Sequence, residues 1–167
     1  MYTNNKVGNV IYKVIEYFGD DVRRINHFLK VYGYAKMISE CENLDDSMQE
    51  ILEVTAVLHD VGIKVAEQKY NSSAGHYQQL EGPPVAKKIL DELGYPDDFV
   101  ERVMYLIAHH HTYTNIDGMD YQILVEADFL VNADEDRLSS DAIENFKEKI
   151  FKTTTGIAVL ENNYLNL

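Results

Sequence analysis

The sequence predicts an all-α fold, a single-domain helical bundle, on three observations. Apolar residues recur at three- and four-residue spacing in almost every segment, and helix start and stop residues bracket those segments. No alternating apolar and polar run long enough for a strand occurs. The 167 residues suffice for one domain with a substantial core, and 46% of them are hydrophobic, which argues against disorder.

Each element follows in order. Val7, Val10, Ile11, Val14, Ile15 and Phe18 keep helical spacing, and Gly19 ends the run. Asp20 and Asp21 can cap a second helix carrying Val22, Ile25, Leu29, Val31, Ala35 and Ile38. Ser47-Met48-Gln49-Glu50 fits a capping box for a third, which runs through Ile51, Val54, Val57 and Leu58 and stops at Gly62. Between Val65 and Leu80 the pattern dissolves, and Asn71-Ser72-Ser73-Ala74-Gly75 reads as loop. Pro83 and Pro84 suit the first turn of a helix reaching Leu93, with Gly94 as its stop. Pro96-Asp97-Asp98 opens the next, which carries Phe99, Val103, Leu106 and Ile107 into His109. The stretch from Asn115 to Asp120 is a turn, and Tyr121 to Val131 is helical. Ser139-Ser140-Asp141 starts a last long helix with Ile143, Phe146 and Ile150. With no repeat, linker or low-complexity region, residues 1–167 read as one domain.

The net charge of −13 bounds the partners. Polynucleotides are held by many Lys and Arg contacts to phosphate, and no basic block is present, so long nucleic acid and anionic membrane surfaces are not expected. A small phosphorylated molecule remains, given local cations or a bound metal to offset the acidic field. The single cysteine, Cys41, rules out an internal disulfide and suits a reducing cytoplasm. Met1 to Lys13 lacks the basic-then-apolar pattern of a leader, and no run reaches bilayer-spanning length. Self-association is compatible with everything in the sequence.

The most informative run is Leu58-His59-Asp60-Val61-Gly62, an imidazole beside a carboxylate at the edge of the apolar stretch from Ile51 to Leu58. Such a pair is costly to desolvate unless something binds it, and a divalent metal accepts both donors. Six histidines are available: His27, His59, His76, His109, His110 and His111. His27 is in phase with Val31, Tyr34, Ala35 and Ile38. Asp128 sits in the apolar segment from Ile123 to Val131. Four inward groups on three helices can meet around one ion with positions left open, as a catalytic metal needs. Taken singly, each has a plainer reading. His27 could be a hydrogen-bonded core histidine, His76 and His111 exposed, and Asp128 a cap or an arginine partner. Tyr32, Tyr34, Tyr105 and Tyr113 read as packing and rim groups.

The order His27, His59-Asp60, Asp128 resembles the HD superfamily of metal-dependent phosphohydrolases. Arg24-Ile25-Asn26-His27 followed by Val31 and Tyr34-Ala35 is similar to its first motif, and Ala56-Val57-Leu58-His59-Asp60-Val61-Gly62 to its second. Leu106-Ile107-Ala108-His109-His110 resembles the segment that often adds histidines, and Glu126-Ala127-Asp128-Phe129-Leu130 the last motif. The resemblance covers roughly Val22 to Asn132, with the C-terminal helices of 139–163 packing on that core. It implies one divalent metal (Mn, Fe, Zn, Ni, Co or Mg) on His27, His59, Asp60 and Asp128. It leaves room for a second, with His76, His109 and His110 as candidates and Glu81 competing with His76.

The activity so implied is cleavage of a small phosphoester, a nucleotide among the candidates. Asp60 would orient the attacking water, and His109 or His110 would stabilise developing charge or protonate the leaving oxygen. Arg24, Lys64 and His76 are candidate substrate contacts. Two other readings stand beside it: a non-catalytic metal- or ligand-binding signalling module, and an oxidative enzyme using two irons. Specificity is expected from the Val65–Leu80 segment and from the residues after His111.

Overall fold

The computed structural model describes residues 6–166, and over these the chain forms nine α-helices and a closing π-helical turn, with no strand among them. The all-α expectation holds. Residues 1–5 and 167, and with them the start of the Met1–Lys13 reading, lie outside the described residues. The helices are α1 (Lys6–Phe18), α2 (Val22–Cys41), α3 (Asp46–Leu58), α4 (Ile63–Tyr70) and α5 (Gly75–Glu92). They continue with α6 (Asp97–His109), α7 (Met119–Glu135), α8 (Ser140–Ile150), α9 (Thr154–Leu160) and the turn Glu161–Leu165. No helix among the described residues is long and apolar enough to cross a membrane.

Most boundaries obey local chemistry. Gly19 and Gly94 take left-handed conformations (φ 65° and 74°) where α1 and α5 give way to turns. The side chain of Asp21 caps α2 by accepting from the Arg24 amide at 3.1 Å, and Ser139 caps α8 from the Ala142 amide at 3.3 Å. Three boundaries differ from the sequence expectation. The cap of α3 is Asp45, which accepts from the Met48 amide at 3.0 Å, so Ser47 already lies inside the helix. An extra helix, α4, occupies Ile63–Tyr70, reaching into the stretch from Val65 where no periodic pattern was read, and Asn71 ends it in a left-handed conformation. Finally, α5 starts at Gly75, which places Pro83 and Pro84 in its interior rather than its first turn. These prolines carry no N–H for the carbonyls of Gln79 and Leu80.

Helix α7 runs through the middle and is buried on every face from Asp120 to Val131. One core cluster joins it to α2, α3 and the C-terminal helices through Ile38, Leu52, Leu124, Leu130 and Leu160. A second joins α1, α2, α3, α5 and α6 through Val14, Phe28, Leu58, Leu90 and Ile107. Helix α3 contributes to both clusters, so its C-terminal end emerges where they meet. The fully buried Glu126 is satisfied on both oxygens. Oε1 accepts from Gln122 Nε2 (2.7 Å) and from the amides of Lys152 (2.7 Å) and Thr153 (3.0 Å), while the Thr153 hydroxyl donates to Oε2.

Arg102 pins the connection between α6 and α7. Its guanidinium donates to Asp120 at 2.7 and 2.8 Å and to Asp117 at 3.0 and 3.2 Å. Arg102→Ala should therefore cost about 2 kcal/mol in urea denaturation, since charge-assisted hydrogen bonds of this kind are worth about 1.5–3 kcal/mol. A loss below about 0.5 kcal/mol would show that the connection holds itself, as a typical surface substitution would.

Candidate metal centre

Each of the four groups owes its position to a helix. His27 projects from α2 in phase with Val31 and Ala35, both fully buried. His59 and Asp60 leave the C-terminal end of α3 at the meeting of the two cores. Asp128 lies midway along α7. His27 Nε2 is 3.2 Å from His59 Nε2, 3.4 Å from Asp60 Oδ2 and 3.3 Å from Asp128 Oδ1. His59 Nε2 is 3.5 Å from the same two carboxylate oxygens. Ligand atoms held about 2.1 Å from one cation at tetrahedral angles lie about 3.4 Å apart, so these separations fit a shared divalent ion.

The far side of each imidazole fixes its tautomer. His27 Nδ1 donates to Glu135 Oε2 at 2.8 Å, and Lys30 Nζ donates to the other oxygen of Glu135 at 2.7 Å. His59 Nδ1 donates to the Ala56 carbonyl and His110 Nδ1 to that of Ile107, both at 2.8 Å. With Nδ1 occupied as a donor in all three rings, Nε2 is the atom left for a metal. Asn132 Nδ2 donates to Asp128 Oδ1 at 3.0 Å and steadies that carboxylate.

A second donor group adjoins the first. Asp60, His110 and His111 offer ligand atoms within 4.8 Å of one another, as do His27, His59 and Asp60, so Asp60 belongs to both groups. His110 Nε2 lies 3.5 Å from Asp60 Oδ1 but makes no hydrogen bond, and His111 Nε2 is likewise buried without a partner. Two orphaned ring nitrogens facing a shared carboxylate fit a cation better than a structural network, which would pair them.

Electrostatics agree with this assignment. Burial opposes protonation of His59, but the Asp60 charge and a hydrogen bond to Asp128 outweigh it and raise its pKa to about 9. His27 is raised too, because burial is outweighed chiefly by its hydrogen bond to Asp128. Burial alone would raise Asp60 and Asp128. The histidines reverse that and hold both carboxyls well below the usual carboxylate range. Burial and then the neighbouring His110 push His111 down to about 4, so it is neutral at pH 7 with a free lone pair.

A cation must displace the protons that His27 and His59 hold in the metal-free state. Manganese affinity measured by calorimetry should therefore rise as the pH goes from 6.5 to about 9 and level off above. The chelator-treated protein runs the other way. The stability His59 contributes is whole below its unfolded value of 6.5 and fades as the pH climbs through about 9. An affinity flat over that window would contradict the assignment.

The centre lies at the floor of a cleft of about 820 Å³. Arg24 stands at its mouth, but its guanidinium already donates to Asp21 (2.8 Å) and Glu67 (2.5 Å). The neighbouring Arg23 is exposed, lines the same cleft and has no ion-pair partner among the described residues. Three residues expected at the site from the sequence are engaged or placed elsewhere. Lys64 Nζ donates to the Tyr17 carbonyl at 2.9 Å and lies over that ring, so it is spent holding α1. His76 sits on the exposed first turn of α5, its ring tilted against that of Tyr77, outside the cleft lining. His109 faces Tyr105, its ring 4.3 Å away and its Nδ1 donating to the Tyr105 carbonyl at 2.7 Å; only His110 of that pair turns toward Asp60. Glu81 is engaged by Lys69 and Tyr70 at 2.7 and 2.8 Å and lines a separate groove.

The sequence reading missed Arg23, Glu135, Asn132 and His111. Asp128, Asn132 and Glu135 form a polar stripe at i, i+4 and i+7 along one face of α7, a signal present in the sequence. His111, expected at the surface, packs beneath Gly75, where an added Cβ would come within 2.8 Å of its ring, and its amide donates to Gln79 Oε1 at 2.9 Å. No local signal announced this, because it depends on where α5 begins.

Comparison with known proteins fits this geometry. The family model described as HD domain matches residues 24–144. Among solved structures, a predicted HD superfamily hydrolase from an uncultured Thermotogales bacterium is similar, with a TM-score of 0.65 and 25% sequence identity. The match covers 92% of this chain and 82% of that one. No curated protein sequence matches the chain.

Proposed function

The chain belongs to the HD domain family, and from that premise we propose that it is a metal-dependent hydrolase of a small phosphoester. The observation that carries the reading is the meeting of His27, His59, Asp60 and Asp128 at 3.2–3.5 Å on the floor of an open cleft. The similar fold of a predicted HD superfamily hydrolase supports it. Mixed imidazole and carboxylate donors favour Mn, Fe, Co, Ni or Zn over Mg, which prefers oxygen. The sharing of Asp60 between two donor groups supports a pair of cations.

A divalent cation held there supplies positive charge to a phosphoryl oxygen and makes a neighbouring water more acidic. The protein's own groups do the rest. Asp60, whose side chain is 20% exposed, faces the cleft and can accept a hydrogen bond from the attacking water and orient it. Glu135 and Asn132 hold His27 and Asp128 in place. Among the described residues lining the cleft, Arg23 is a cation without an ion-pair partner and a candidate phosphate contact, with Arg24 beside it already neutralised. The acidic surface disfavours long nucleic acid and anionic membranes as partners. The single free cysteine, Cys41, is exposed, which suits a reducing compartment.

The test is phosphate release from a panel of phosphomonoesters and nucleotides, with manganese and with chelator. Metal-dependent turnover is the expected result. Manganese at a hundred times its Kd should also raise the melting temperature by about 5–10 °C, the linkage value of about 2.7 kcal/mol for a protein of this size. Such stabilisation with no turnover of any ester would favour the non-catalytic module instead.

A further inference from the structure

One wall of the cleft is aromatic. Tyr113, in the connection between α6 and α7, is 41% exposed and lines the cleft, and its hydroxyl has no partner among the described residues. Its ring lies 5.2 Å from that of Phe146, also in the lining, at an interplanar angle of 83°. Phe146 is backed by Phe129, stacked at 3.8 Å and 8°, and by Phe151 edge-on at 6.2 Å. Phe129 directly follows Asp128, so the aromatic wall begins where the metal-binding floor ends. Phe146 lies beyond the residues 24–144 that match the family.

We propose that Tyr113 and Phe146 form a stacking corner that selects phosphoesters carrying a planar base, a nucleoside monophosphate in particular. The inference rests on the hydrolase reading above. A planar group laid parallel to either ring meets the other edge-on, and these are the two geometries aromatic rings favour. Stacking on such rings tolerates any base, because every base has a π face. An aliphatic phosphoester gains neither contact. The mouth sets Asp21, Glu67, Glu135 and Asp136 against Arg23 and Arg24, a balance that suits one phosphate better than a chain of three.

Equilibrium binding to the manganese-loaded protein tests the corner with two probes that are not hydrolysed. These are the 5′-methylenephosphonate of adenosine, in which carbon replaces the ester oxygen, and the corresponding phosphonate of ribose, which lacks the base. The adenosine probe should bind at least about tenfold more tightly, the weight of one stacked base. Tyr113→Leu, at an exposed position, and Phe146→Leu, which keeps apolar volume, should each cut that preference to about threefold or less and leave the ribose probe unchanged. Equal affinities in the unaltered protein, a preference that survives both substitutions, or no binding of the adenosine probe would overturn the corner. Turnover of adenosine monophosphate or ribose 5-phosphate in the same preparation would then leave the hydrolase reading standing. Absence of both binding and turnover would end the two together.

Discussion

On the proposed reading, Asp60→Asn should lower kcat/KM for metal-supported phosphate release by about a thousandfold or more, equivalent to about 4 kcal/mol of transition-state stabilisation. The size follows from the position of one carboxylate. Oδ2 closes the group with His27 and His59 at 3.4 and 3.5 Å, and Oδ1 reaches His110 at 3.5 Å. Asparagine keeps the shape but removes the charge that two cations would share, and its amide can turn an N–H toward them. In the metal-free protein the same change removes the charge that most raises His59. That pKa therefore falls, and the chelator-treated variant loses stability at pH 7 relative to its parent. Phosphate release and proton-coupled metal binding, measured on the same variant, check both halves. Activity within tenfold of the parent would remove Asp60 from the centre.

Gly62→Ala should be among the most destabilising single substitutions in the chain, at about 3 kcal/mol or more, or roughly 6–12 °C in melting temperature. The backbone conformation is ordinary, φ −70° and ψ −20°, so strain in Gly62 itself is not the cause. The cause is what stands over it. A Cβ there would lie 2.5 Å from the Gln78 carbonyl oxygen, 2.5 Å from the Gly82 nitrogen and 2.8 Å from the Gly82 Cα. These are backbone atoms of α5, with no rotamer to yield. Gly82 is pressed in turn from its other side, where its own Cβ would meet Ile107 at 2.6 Å. The helix must move bodily, and Gln78 and the turn holding His59 and Asp60 move with it. Reduced metal affinity should accompany the loss of stability in thermal melts run with and without manganese. A variant with an unchanged melting temperature would show that α5 can slide.

The fold was legible wherever one helix carried its own instructions. The apolar phasing of α1, α2 and α7, the aspartate cap of α2 and the serine cap of α8 all act within a few residues. The failures share a cause. Pro83 and Pro84 normally open helices, and here tertiary packing of Gly82 against Gly62 carries α5 back across them to Gly75. That shift brought His76 onto an exposed helical turn and set His111 beneath Gly75. The choice between His109 and His110 could have been made from spacing: His110 follows Val103 by seven positions and shares its buried face, while His109 follows the half-buried Tyr105 by four. Lys64 and Arg24 could not have been sorted this way. Their partners, the Tyr17 carbonyl and Glu67, are set by how helices cross.

Glu126 bears on how far the chain can be trimmed. Three of its four donors come from Lys152 and Thr153, past the end of α8, and the carboxylate sits two positions before Asp128 on α7. A shortened protein ending at Ile150 would keep every proposed ligand, yet it would strand an anion among apolar neighbours with Gln122 as its sole donor. Relief would come from turning α7 to bring it to water, and a turn would swing Asp128 away from His27 and His59. The C-terminal segment thereby braces the helix that carries Asp128, and deletion libraries should see it as such.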